Sequence, residues 1–336
     1  MTLHYGSPIE EISCSNGEFP AHLYDADMPC ILRGMVADWP LVQEGLRSDQ
    51  HAVDYLMSFY NQQPVNAFMA GPEAKRRIFY NDTIDGFNFV QSQVYLNDAL
   101  NKIIEVAEQP DPPTFYVGSL EIARYLPGFS DNNQVAIDQN QIRESIWLGN
   151  RTVIAPHFDF PDNLACCVLG ERKFTLFPPQ EHNNLYVGPL DFTPAGQVIS
   201  MVDVNAPDLE RFPRFENAMA AAKTAHLKPG DAIYIPSMWW HAVEGLGPLN
   251  GLVNYWWRTM PDYLGMPNNA LLHAIMSIKH LPKRQRQAWK TLFDNYVFEQ
   301  PEDFYQHLPE KVRDNQTKMS DMTARKLRAQ LINKLK

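Results

Sequence analysis

Apolar positions change their spacing twice along the chain. Over His51 to Tyr60 (HAVDYLMSFY), Val53, Leu56, Met57 and Tyr60 recur at three and four residues, the signature of one helix face. Asn97 to Glu108 (NDALNKIIEVAE) repeats that spacing, with Asn97 or Asp98 placed to cap the first turn. The rest of this first zone is mixed. Cys30 to Leu32 reads as a short apolar strand, followed by a turn at Gly34 and a stop at Trp39-Pro40. From Thr114 the helical spacing gives way to short runs rich in β-branched and aromatic residues. These are Thr114 to Val117, Ser145 to Leu148, Thr152 to Ile154, Leu164 to Leu169, Lys173 to Phe177, Ala232 to Ile235 and Leu252 to Trp257. Asn150, Gly170, Pro178-Pro179 and Pro229-Gly230 punctuate them. Past residue 263 the helical spacing returns, over Asn268 to His280, Lys283 to Tyr296 and Met322 to Lys336. Many short strands with few helices between them predict a sandwich or barrel rather than a parallel βαβ sheet. The division expected is a core over 1–262, strand-rich over 114–260, and a helical segment over 263–336.

Composition narrows the function classes. The chain has 336 residues, 45% hydrophobic and 12% aromatic, which suits a packed interior. Its formal charge is −10, against the net positive face that a general nucleic-acid binder needs. Charge and proline interrupt every apolar run before membrane-spanning length. The N-terminus lacks a basic start and a long apolar stretch, so it does not read as a secretory signal. The expected location is cytoplasmic. Cys14, Cys30, Cys166 and Cys167 form no Cys-x-x-Cys pair, and adjacent Cys166 and Cys167 would face opposite ways on a strand. They read as reduced, buried thiols.

The chemistry concentrates in Ala155 to Pro179 (APHFDFPDNLACCVLGERKFTLFPP). In a strand, residues two apart face the same way, so His157 and Asp159 would project into one space. Alone, His-x-Asp is a weak signal. Support comes from Leu227 to Gly245 (LKPGDAIYIPSMWWHAVEG), where His241 follows a buried strand and two tryptophans. Two imidazoles and a carboxylate occupy one face of an octahedral metal and leave three positions open. His157, Asp159 and His241 are therefore the candidate metal ligands and catalytic residues. Phe158, Trp239 and Trp240 are expected to keep the pocket dry.

These motifs, with Ile31-Leu32-Arg33-Gly34, Trp39-Pro40, Leu176-Phe177-Pro178-Pro179 and Val204 to Phe215 (VNAPDLERFPRF), resemble the JmjC/cupin-like (cupin 8) family, in its asparaginyl-hydroxylase branch. The resemblance covers most of residues 28–260. It implies a double-stranded β-helix, or jelly-roll, that uses Fe(II), 2-oxoglutarate and O₂ to hydroxylate a protein side chain or a small molecule. It also implies positions beside the metal or cosubstrate for Asn163 and Asn254. A lysine that holds the far carboxylate of 2-oxoglutarate in relatives is replaced here by Arg172, with Lys173 next. Adjacent strand residues face opposite ways, and register favours Arg172 inward. A threonine of the family is replaced by Ile154, for which Thr152 or Thr175 could substitute. Relatives pair through C-terminal helices, which implies a homodimer. Two alternatives stand beside the oxygenase: a metal-dependent cupin enzyme without 2-oxoglutarate, for which Glu244 is the nearby spare acid, and a non-catalytic binding module.

Overall fold

The computed structural model describes residues 6–14, 17–194, 196–299, 303–310, 312–313 and 319–335. It divides into two compact units, 1–259 and 260–336.

The first unit holds the strands β1 (Glu10–Ser13), β2 (Cys30–Arg33), β3 (Val65–Ala70), β4 (Arg77–Ile78) and β5 (Val90–Val94). Then come β6 (Thr114–Glu121), β7 (Arg143–Gly149), β8 (Val153–Phe158), β9 (Asp162–Leu169) and β10 (Arg172–Phe177). The series closes with β11 (Lys223–Leu227), β12 (Ala232–Ile235), β13 (Trp240–Gly245) and β14 (Asn250–Trp257). Nine of them form one sheet in the order β1-β2-β12-β9-β14-β7-β6-β3-β5, and five form another, β11-β10-β13-β8-β4. Pairing is antiparallel except for β1 with β2 and β4 with β8. This is the cupin jelly-roll that the strand pattern and the resemblance predict, extended on one side by β6, β3 and β5.

Side-chain alternation decides what each face meets. β9 (DNLACCVL) is buried along its whole length because both of its faces are covered. Ala165 and Cys167 join Phe174, Leu176, Ile233, Val243 and Leu252 in the barrel interior. Leu164, Cys166 and Val168 face the other way, into a cluster with Leu41, Val53, Leu56 and Leu100. Those last four come from the helices α1 (Pro40–Arg47), α2 (Asp49–Met57) and α3 (Leu96–Glu105), which cover the nine-stranded sheet. All four cysteines are buried and none is in a disulfide. The short α4 (Ile122–Tyr125) follows β6, and α5 (Phe215–Ala221) packs Phe215 against Phe177 and Trp240 outside the smaller sheet.

The cap expected for α3 is different. The helix starts at Leu96, and no side chain caps it at Tyr95. The Tyr60 hydroxyl accepts the Leu96 N–H at 3.1 Å, so a tertiary contact satisfies an orphan donor of the first turn.

The second unit holds α6 (Pro267–Ile278), α7 (Lys283–Phe293) and α8 (Asp321–Leu335). Lys336, the last residue of the helix expected there, lies outside the described residues. None of its described residues is buried, and Met276 and Phe298 are 67% and 71% exposed. No helix among the described residues is long and apolar enough to cross a membrane.

Candidate functional site

His157 and His241 face each other across β8 and β13, directly opposite in register, with ring centroids 4.4 Å apart. The register slips by one residue between His241 and Val243, so that Ile154 comes opposite Val243. That slip lets Ile154 and His157, three apart in sequence, share the inner face. The Nδ1 of His157 lies 2.9 Å from the Ala155 carbonyl, and the Nδ1 of His241 lies 3.0 Å from the Trp239 carbonyl. A carbonyl only accepts, so each Nδ1 carries a proton, and in a neutral ring Nε2 keeps its lone pair. Burial, with His157 adding to it, pushes the His241 imidazole down to about 4, and Asp159 opposes the shift.

Asp159 follows β8 directly. Its Oδ2 is 3.8 Å from the Nε2 of His241 and accepts from Trp256 Nε1 at 3.1 Å and Asn163 Nδ2 at 3.2 Å. Its Oδ1 accepts from Gln197 Nε2 at 3.2 Å. These N–H donors hold the carboxylate, and the three side chains meet in pairs. No group of three or more His, Cys, Asp or Glu among the described residues closes round a common point as a finished metal cage does. The donor set itself fits a divalent cation: two imidazole lone pairs and one anionic oxygen, each oriented by a second hydrogen bond.

A second feature lies deeper in the barrel. Arg172, Phe174 and Leu176 point inward from β10, and Arg172 is 1% exposed. Its Nε and Nη2 have no hydrogen-bond partner, and no carboxylate pairs with it among the described residues. Burial pushes the guanidinium below its ordinary range. Burial likewise pushes the Tyr116 phenol above its ordinary value, so Tyr116 stays neutral and supplies no counter-charge. Thr152 Oγ1, Ser145 Oγ, Trp147 Nε1 and Asn254 Oδ1 are also buried without partners. Asn254 lies opposite Ser145 on the inner face, and its Nδ2 donates to Asn163 Oδ1 at 2.7 Å. A buried cation without a partner, in a barrel that also buries unpaired polar groups, suits a small anion, because leaving it unpaired costs several kcal/mol.

Sequence comparison bears on the same residues. The "Cupin-like domain" family matches residues 16–263, most of the chain and all of both sheets from β2 onward. The chain belongs to the cupin-like family. It is 31% identical over 140 residues to HSPB1-associated protein 1 of Homo sapiens, covering 41% of this chain and 28% of that protein. It is 27% identical over 230 residues to JmjC domain-containing protein D of Dictyostelium discoideum, covering 65% and 49%. The mouse tRNA wybutosine-synthesizing protein 5 is 23% identical over 275 residues, covering 74% of this chain and 76% of that one. The match to the first two spans less than half of each relative's length.

Within the cupin-like barrel several expected positions are revised. Lys173 points outward and pairs with Glu244 at 2.8 Å, because alternation along β10 leaves only Arg172 inside. That pairing also commits Glu244 to the outer face. Thr175 lies on the outer side with Lys173 and Phe177, away from the pocket, so of the two threonines only Thr152 remains a pocket candidate. Trp240 and Phe158 pack against each other outside the smaller sheet, with ring centroids 4.9 Å apart. Of the three rings expected to dry the site, only Trp239 joins the barrel interior. Three contributors went unrecognised in the sequence. Trp256 carried a signal, standing two residues after Asn254 on one strand face. Gln197, in a loop, and Tyr116, some 40 residues upstream of the ligand segment, carried none.

Proposed function

We propose that this cupin-like chain is an Fe(II)- and 2-oxoglutarate-dependent oxygenase that hydroxylates a protein side chain or a small molecule. The observation that carries the reading is Arg172, a fully buried cation with unpaired nitrogens on the inner face of the barrel that holds His157, Asp159 and His241. The two imidazole Nε2 atoms and the Asp159 carboxylate would hold the iron. Arg172 would hold the far carboxylate of 2-oxoglutarate, with Thr152 and Tyr116 as neighbours and Asn163 and Asn254 nearer the metal. When bound, iron with 2-oxoglutarate and O₂ supplies the oxidation of an unactivated C–H bond. The chain's own residues do the rest. The Ala155 and Trp239 carbonyls fix the imidazole tautomers, and Trp256, Asn163 and Gln197 fix the carboxylate. The apolar barrel interior keeps water out.

The commitment of Glu244 to Lys173 weighs against a Lewis-acid cupin, which would want a fourth ligand there. Two imidazoles and a carboxylate in pairwise contact weigh against a binding module that has lost turnover. The mouse relative is named for tRNA wybutosine synthesis. Residues 1–259 here carry 16 Lys and Arg against 31 Asp and Glu, which supports a protein or small-molecule substrate. The exposed Leu271, Leu272, Met276, Trp289 and Leu292 support pairing of the chain as a homodimer through residues 263–336.

The test is direct. Protein supplied with Fe(II), ascorbate and O₂ should slowly convert 2-oxoglutarate to succinate. Arg172→Met should raise the 2-oxoglutarate requirement about tenfold or more, the loss of a charge-assisted pair, and Lys173→Met should change it little. His157→Ala and His241→Ala should each lose stoichiometric iron by elemental analysis while keeping the wild-type far-UV spectrum. A wild-type protein that binds no 2-oxoglutarate rejects the reading.

A further inference from the structure

One of the four sheet edges is built unlike the others. β1 (EEIS) is guarded by Glu10 and Glu11, the latter paired with Arg33 at 2.8 Å. β11 (KTAHL) carries Lys223 and His226, and β4 is only two residues long. β5 (VQSQV) has no charge, proline or glycine. Val90 is 63% exposed, and Tyr95 just beyond the strand is 48% exposed. β5 pairs with β3 on one side and ends the nine-stranded sheet on the other. Natural edge strands carry charge, proline or brevity to prevent pairing with a foreign strand. An unguarded edge is a template for an added strand, since the N–H and C=O groups of an extended segment match its own open row.

The face beside this edge runs on to the candidate site. Gln91 lies opposite Phe68, and Phe68 opposite Tyr116, so all three share one side of the sheet. Gln93 holds Asn66 there through a 2.7 Å hydrogen bond. Ring centroids then step from Phe68 to Tyr116 (6.2 Å), to Trp147 (5.9 Å) and to Trp256 (5.9 Å), whose Nε1 donates to Asp159.

We propose that β5 is the docking strand for a protein substrate, which adds an extended, uncharged segment to the sheet as a tenth strand. The floor of rings then leads the following chain to Asp159. Five strand spacings separate the docked segment from β14, about 24 Å, or about seven residues of extended chain. The substrate class is thus a protein with a neutral β-forming stretch about seven residues or more from the reacting side chain. Calling the segment a substrate rests on the oxygenase reading, while docking itself needs no turnover.

The probe is a fluorescein-labelled peptide of alternating valine and threonine, about ten residues long, N-methylated on every second residue so that one edge alone can pair. Its fully N-methylated form is the control. The first should bind full-length protein and slow hydrogen exchange at alternate amides of residues 90–94, and the control should do neither. Docking should be unchanged in His157→Ala, which separates this proposal from the iron chemistry. Of Gln91→Pro and Ser92→Pro, one removes a donor from the outer edge and the other from the β3 ladder. The variant that keeps the wild-type melting temperature should bind about tenfold more weakly, the effect of one lost backbone hydrogen bond and its desolvated partner. Ser92→Lys, which guards the edge and leaves the ladder intact, should weaken binding similarly and decides the matter if both proline variants unfold. No slowed exchange with the first peptide overturns the proposal, as does full affinity in Ser92→Lys. Slowed exchange that needs no peptide and grows with protein concentration also overturns it, because the edge would then close on a second copy.

Discussion

His241 titrates below its unfolded value, and the sign of that shift fixes how the metal-free protein responds to acid. Its folded value is about 4 against 6.5 for an unperturbed imidazole, because burial disfavours the charged ring. As pH falls, the unfolded chain takes the proton first. The contribution is fully present above pH 6.5 and is lost progressively down to about pH 4. The loss is on the order of 3 kcal/mol at the bottom of that window. Urea denaturation of the metal-free protein at pH 7, 6 and 5 should show declining midpoints, and His241→Gln should flatten the trend. A trend unchanged by that substitution would place its origin elsewhere. Arg172 makes the opposite kind of prediction. Arg172→Met should stabilise the ligand-free protein by about 1–4 kcal/mol, since it removes a buried charge without a partner. It should also abolish the thermal shift that 2-oxoglutarate gives the wild type. Ligand-free destabilisation would mean that the guanidinium is satisfied within the fold.

At the scale of elements, the β9–β10 turn shows why one glycine is required where another is not. Gly170 has φ +63°, and a Cβ there would run into the Leu249 carbonyl and the Asn250 side chain. Gly17 has φ +68° with nothing within 4 Å of the same position. Gly170→Ala should therefore cost about 2–4 kcal/mol, and Gly17→Ala about 1 kcal/mol, in thermal denaturation. Equal costs would mean that the turn yields. The strands around this turn were legible because their periodicity is strict. Alternation along β10 places Arg172 inside and Lys173 outside, and it separates Cys166 from Cys167 on β9. The β8–β13 pair was not legible, because a one-residue register slip has no sequence mark. The start of α3 was missed for a related reason: its donor is met by Tyr60, a residue 36 positions away. Tyr116 and Gln197 reach the site from β6 and from a loop, through contacts that no local pattern encodes. β5, too short and too polar to stand out as a strand, passed unnoticed.

At the scale of the whole molecule, charge and burial divide the chain the same way. Residues 260–336 carry 13 Lys and Arg against 8 Asp and Glu, while 1–259 are strongly acidic. The described residues of the second unit include exposed Leu271, Leu272, Met276, Trp289 and Leu292, with no buried core among them. Helices with so much open apolar surface call for a partner surface. Light scattering should show the full chain as a dimer and a chain ending at Thr259 as a monomer. A full-length monomer at micromolar concentration would reject pairing through this segment.

The sheet order also sets a timetable for synthesis. β12 lies between β2 and β9, and its Ile233 pairs with Ile31. The ribosome makes these two residues about 200 positions apart, on the order of 10–40 s at roughly 5–20 residues per second. Through that interval the Cys30–Arg33 strand has β1 on one side and nothing on the side that β12 will take. Neither histidine can face the other until His241 is made. The nascent chain therefore spends most of its synthesis with an incomplete barrel, and its yield should depend on chaperones that shelter early strands.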